Sequence, residues 1–348
     1  MSNWHEELER RVEGFAPRMD EGAHLRGGVG IVEGLMAMVK HAGGEEEAWS
    51  RDELLFMTSV AGKHYVYEED FNPQYEPPRY FSLLAELFSN YGIFESFEQH
   101  VGWEVREFNF LSAGDLAKLL AFEFQEGRAV LSWGLASVPE VVWLVGVAAS
   151  PSRFEVEYMG ADGVVRVLDL RDQGGTLQGE GEENLVNWCV VARPKPPEAR
   201  EVAWALSEER RRQLVLGWYV KHGRSRKEFF HETRENYATG LAAYDTLARS
   251  VTQRHEAMKQ GDEEGREAFL EQLEWHVQEL REGRRAMARV LESVKDFEHV
   301  GQMYEEVVAL LGKLEPGGDK DAQAWLRVKA KEEEALKALG EQLEREQR

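Results

Sequence analysis

The sequence predicts an α+β protein, in which an N-terminal domain of helices packed on an antiparallel sheet is followed by an α-helical bundle. Three observations predict it. Residues 29–127 read mainly as helices and residues 128–193 as short β-branched and aromatic segments, an order that belongs to α+β and not to a wound α/β sheet. Beyond Pro194-Lys195-Pro196-Pro197, Gly and Pro become rare and apolar residues fall at helical spacing almost to the end. Over 348 residues, 43% hydrophobic and 10% aromatic side chains supply cores for about two domains at roughly 150 residues each.

Taken in order, residues 29–42 (VGIVEGLMAMVKHA) form a helix apolar on all sides, hence buried, and stopped by Gly43-Gly44. Ser50-x-x-Glu53 is a capping box that opens a helix through Val60. A further helix is expected over Arg79–Asn90. Ser112-x-x-Asp115 resembles the same cap ahead of LAKLLAFEF, which ends at Gly127. AVLSWGL, VVWLVGVA, RFEVEYM, VVRVLDL and NWCVVAR then read as strands, and the turns at Ser150-Pro151-Ser152 and Ala161-Asp162-Gly163 fold three of them into an antiparallel meander. The prolines after Arg193 fix an extended connector. Helices are expected at 207–222, 226–259, 262–294 and 296–313, because Leu270, Leu273, Val277 and Leu280, like Met303, Val307 and Leu311, recur at spacings of three and four. Residues 319–348 form a charged helix that Glu and Lys at four-residue spacing can support without burial, either extending from the body or pairing with another chain. The domains are therefore set at 1–195, 196–316 and 317–348.

Charge and composition exclude several classes. With 64 acidic and 42 basic residues the net charge is −22, the wrong sign for a polyphosphate partner, so no nucleic acid is expected. No stretch approaches the ~18 apolar residues of a membrane span, and the start MSNWHEELERR is charged, so no membrane partner and a cytoplasmic location are expected. Cys189 is the single cysteine, which excludes an internal disulfide and a Cys-based zinc finger.

The motifs each have a structural and a functional reading. Arg26-Gly27-Gly28-Val29-Gly30-Ile31 precedes a helix, where glycines serve either close packing or a ligand-facing turn. It lacks the Gly-Lys-Ser/Thr ending of a phosphate loop, and no strand precedes it, so no nucleotide cofactor is assigned. The ten histidines include no close ligand pair, and no metal is assigned. Cys189 sits in a β segment among apolar neighbours and reads as a small buried hydrophobe. Aromatic residues gather at His64-Tyr65-Val66-Tyr67, at Trp133 and Trp143, and at Tyr237 and Tyr244, the last two placed on one helix; they suit a core or a cavity wall. Glu140 and Asp169 serve as turn and strand-end residues or as a carboxylate pair.

The order GGVGIVEGLMAMVKHAGG, MTSVAGKHYVY, LAKLLAFEFQEGRAVLSWG, PEVVWLVGVAA, VVRVLDLRDQ and NLVNWCVVARP resembles, over about residues 20–195, the papain-like domains related to C39-type peptidases and to the N-terminal domain of butirosin-biosynthesis protein H. NYATGLAAYDTLA and LEWHVQELREGRRAMARVLESV are similar to the helical extension that accompanies some members. The resemblance implies a papain-like fold with a nucleophilic Cys at the N-terminus of the first helix, a His ahead of a strand and an Asp to orient it. This chain departs from that pattern. Gly28 to Gly30 stand where the nucleophile is expected, with no Cys, Ser or Thr in the turn; the His position falls near Pro139-Glu140; Asp169 matches only approximately. Thiolate–imidazolium chemistry needs both partners, so no catalytic residue is assigned.

The expected function is noncatalytic: binding of a small molecule or peptide, in support of a biosynthetic pathway, by a pseudoenzyme that keeps the fold. Gly28, Gly30, His64, Tyr65, Trp133, Glu140 and Trp143 are expected to line its cleft, with Tyr237, Tyr244 and Arg284 added from the bundle. The alternatives are an amide hydrolase or acyltransferase with Glu140, His64 or Asp169 as base, and a structural protein that forms a homo-oligomer through the bundle or terminal helix.

Overall fold

The computed structural model describes residues 8–17, 27–43, 50–58, 60–62, 65–67, 97–98, 101–111, 113–135, 141–150, 153–170, 186–195, 208–224, 226–230, 235–258, 263–314 and 322–346. In chain order the elements are β1 (Leu8–Arg11), α1 (Gly27–His41), α2 (Arg51–Met57), a 3-10 turn (Val60–Gly62), β2 (Tyr65–Tyr67), β3 (Trp103–Leu111), α3 (Ala113–Gln125), β4 (Val130–Leu135), β5 (Val142–Ser150), β6 (Arg153–Met159), β7 (Val165–Asp169), β8 (Val186–Pro194), α4 (Glu208–Gly223), β9 (Arg226–Phe230), β10 (Glu235–Thr239), α5 (Leu241–Met258), α6 (Glu263–Ser293), α7 (Glu298–Leu311) and α8 (Ala322–Glu346). The fold is α+β with antiparallel sheets. The helix expected over Arg79–Asn90 lies outside the described residues.

Two compact units emerge, and both are discontinuous in sequence. One comprises Met1–Trp49 with Phe97–Ala203, the other Ser50–Ser96 with Trp204–Arg348. This division differs from a cut at 195, because α2, the 3-10 turn and β2 group with the C-terminal half.

In the first unit the strands run β3-β8-β4-β5-β6-β7, all antiparallel, and β1 joins β5 alongside the segment that follows its pairing with β4. The meander β5-β6-β7 forms as the turn residues require: Gly163 adopts φ +69 and its N–H bonds to the Gly160 carbonyl at 3.0 Å. β3 is a strand that the sequence reading leaves unassigned, although Trp103 and Val105 are buried while Glu104 and Arg106 face outward. The apolar helix α1 is buried from Val29 through Val39 and packs against β8 and β4. Helix α3 buries Leu116, Ala117, Leu120 and Phe124 and ends where Gly127 takes φ +70. Glu123 of α3 is fully buried, and it accepts hydrogen bonds from Arg128 Nε at 2.7 Å and Arg193 Nε at 3.1 Å, tying the helix to the end of β8.

In the second unit α2 begins as its cap predicts, with Ser50 Oγ accepting the Glu53 N–H at 3.2 Å. Leu54, Leu55, Phe56 and Met57 are buried, and the helix packs on α6 and α4. Arg51 pairs with Glu282 at 2.9 Å and Asp52 with Arg289 at 2.8 Å. The one continuous helix expected over 226–259 is corrected: β9 and β10 form an antiparallel hairpin, β2 adds to β10, and only Leu241–Met258 is helical. Pairing with a strand distant in sequence supplies the backbone partners that override local helical spacing, and Gly240 at φ +57 separates strand from helix. Tyr237 and Tyr244 accordingly lie on a strand and a helix, not on one helix.

The terminal helix is also corrected, from self-supporting to buried. Helix α8 packs on α5, α7 and α4, with Trp325, Val328, Ala335, Leu336 and Leu339 inside, since its apolar residues fall on one stripe. Among the described residues no helix is long and apolar enough to cross a membrane.

Candidate functional site

A buried assembly of ionisable groups lies inside the second unit. Arg284 on α6 is 1% exposed and Glu332 on α8 is 4% exposed, so burial of either charge alone would be costly. They meet directly. Arg284 Nε donates to Glu332 Oε1 at 2.9 Å, and Nη2 approaches the same oxygen at 2.7 Å. Nη1 turns the other way and donates to the Ala61 carbonyl at 2.8 Å, while the Tyr244 hydroxyl of α5 donates to Glu332 Oε2. Two helices and the 3-10 turn thus converge, through one guanidinium and one carboxylate, on a third helix. Gly283 makes room for the turn: a Cβ there would sit 2.9 Å from the Ala61 oxygen.

Electrostatics fix the protonation states. Burial is the largest single effect and disfavours the Arg284 charge, but the Glu332 carboxylate together with Tyr244 and Tyr304 raises the pKa overall, so the guanidinium stays charged. Burial raises the phenols of Tyr219, Tyr244 and Tyr304, with Glu332 adding to the effect at Tyr244 and Tyr304, so these hydroxyls remain donors. Tyr219 uses its proton on the Phe56 carbonyl at 2.7 Å. His276, also on α6, is lowered from 6.5 to about 4, first by burial and then by Arg284.

The sign of the His276 effect follows by linkage. Above pH 6.5 the imidazole is neutral in both folded and unfolded chains; between 6.5 and about 4 the unfolded chain takes up a proton that the folded chain refuses, so stability falls. We expect His276→Leu to remove a loss on the order of 1–3 kcal/mol between pH 7 and pH 4, read from urea midpoints of both proteins across that range.

Of the residues expected from sequence, Tyr244 and Arg284 are brought together, through Glu332. Tyr65 and Tyr237 share the three-stranded sheet of the same unit, where Tyr65 pairs with Thr239 and Tyr237 with Tyr67. Gly28, Gly30, Trp133 and Trp143 belong to the first unit. Gly28 and Gly30 lie within the first turn of α1, and Trp133 pairs with Trp188 across β4 and β8. Trp143 sits in the core: it is fully buried, donates its Nε1 proton to the Gly34 carbonyl at 3.1 Å, and meets the Phe15 ring at 5.7 Å. Asp169 ends β7 opposite Glu155. His64 and Glu140 lie outside the described residues.

Sequence reasoning missed Glu332, yet a signal exists. It falls on the apolar stripe of α8, four residues after Val328 and four before Leu336, where a charge has no solvent to face.

Cys189 on β8 faces Ser132 on β4 across the sheet, and its thiol donates to the Ser132 hydroxyl at 3.7 Å. Burial pushes the thiol up to about 12, against the smaller opposing effect of that hydrogen bond. A crevice of about 310 Å³ opens elsewhere in the same unit, beside the turn that follows β1. Val12, Phe15, Val145 and Met159 give it an apolar floor, and Arg11, at 2.9 Å from Glu157, stands at its rim. Among the described residues no three His, Cys, Asp or Glu side chains gather closely enough to hold a metal ion.

No protein-family model matches the chain, and no curated protein does.

Proposed function

We propose that the chain is a noncatalytic protein of papain-like fold that binds a small molecule or peptide and so supports a biosynthetic pathway run by other proteins. The observation that carries the noncatalytic part is the setting of Cys189. It is the only sulfur nucleophile in the sequence, it is fully buried within the sheet, and a thiol pushed up to about 12 holds a negligible thiolate fraction at neutral pH. Helix α1, buried from Val29 through Val39 against an antiparallel sheet, agrees with the papain-like resemblance, and the crevice near β1, with its mixed polar and apolar lining, is of a size to take a small ligand group.

The test has two arms. Iodoacetamide is expected to leave Cys189 unmodified in the native protein and to alkylate it fully in 6 M guanidinium, read by intact mass. Native mass spectrometry of freshly purified protein is expected to show a bound small molecule or peptide, which Cys189→Ala retains. Turnover of a peptide or acyl-amide substrate that disappears in Cys189→Ala would overturn the proposal.

A further inference from the structure

We draw no further inference here: the strongest candidate, the outer edge of the large sheet where Val164, Val165 and Val167 stand exposed beside Glu157, carries nothing because nothing in the structure shows what covers it.

Discussion

Arg284→Met is expected to destabilise the second unit by about 3–5 kcal/mol, because it strands a buried carboxylate and the Ala61 carbonyl together. Glu332→Leu alone should cost a similar amount, since it leaves the guanidinium buried without its counter-charge and removes the acceptor of the Tyr244 hydroxyl. The double replacement is the informative protein. With both charges gone, the desolvation cost vanishes along with the attraction. The remaining loss is the Tyr244 hydroxyl and the Ala61 carbonyl, each worth about 1–3 kcal/mol when left without a partner. Arg284→Met/Glu332→Leu should therefore unfold closer to the unmodified protein than the sum of the two single changes, with a coupling of roughly 2 kcal/mol or more. Urea midpoints of the four proteins measure it. Additive single costs would mean that the two side chains do not share one buried interaction.

This cluster marks the boundary of what the sequence reveals. Helices with strong apolar periodicity are legible to within a residue or two: the expected 262–294 and 296–313 appear as Glu263–Ser293 and Glu298–Leu311. The capping box at Ser50 is legible because it uses only local atoms. Strands β4 to β8 are legible from their β-branched runs. The hairpin β9–β10 is not, because its conformation depends on β2, about 170 residues away in sequence and paired through backbone groups that every residue carries. Tyr244 and Arg284 could be picked out as an aromatic residue and a cation within a bundle. That they share Glu332 could not, because its place on the apolar stripe of α8 signals burial but does not say which residues of other helices it meets. Nor does any local pattern say which core a short capped helix will join.

The unit assignment of that short helix gives the second large effect. A fragment spanning Pro196–Arg348, the C-terminal half as proline punctuation divides it, is expected to lack a cooperative unfolding transition. It would be missing Leu54, Leu55, Phe56 and Met57, four side chains buried against α6 and α4, each worth about 1.5–3 kcal/mol. Their sum, roughly 6–12 kcal/mol as an upper bound, is as large as the whole stability of an ordinary domain. The fragment would further lack the Ala61 carbonyl that Arg284 holds, the Phe56 carbonyl that Tyr219 holds, and the β2 partner of β10. A synthetic peptide covering Ser50–Tyr67 carries all of these groups, and adding it in excess should restore a cooperative transition whose midpoint rises with peptide concentration, as mass action demands. Circular dichroism melts of the fragment with increasing peptide would record it. A fragment that melts cooperatively by itself, at a midpoint indifferent to the peptide, would mean that residues 50–67 decorate the second unit and do not help build it.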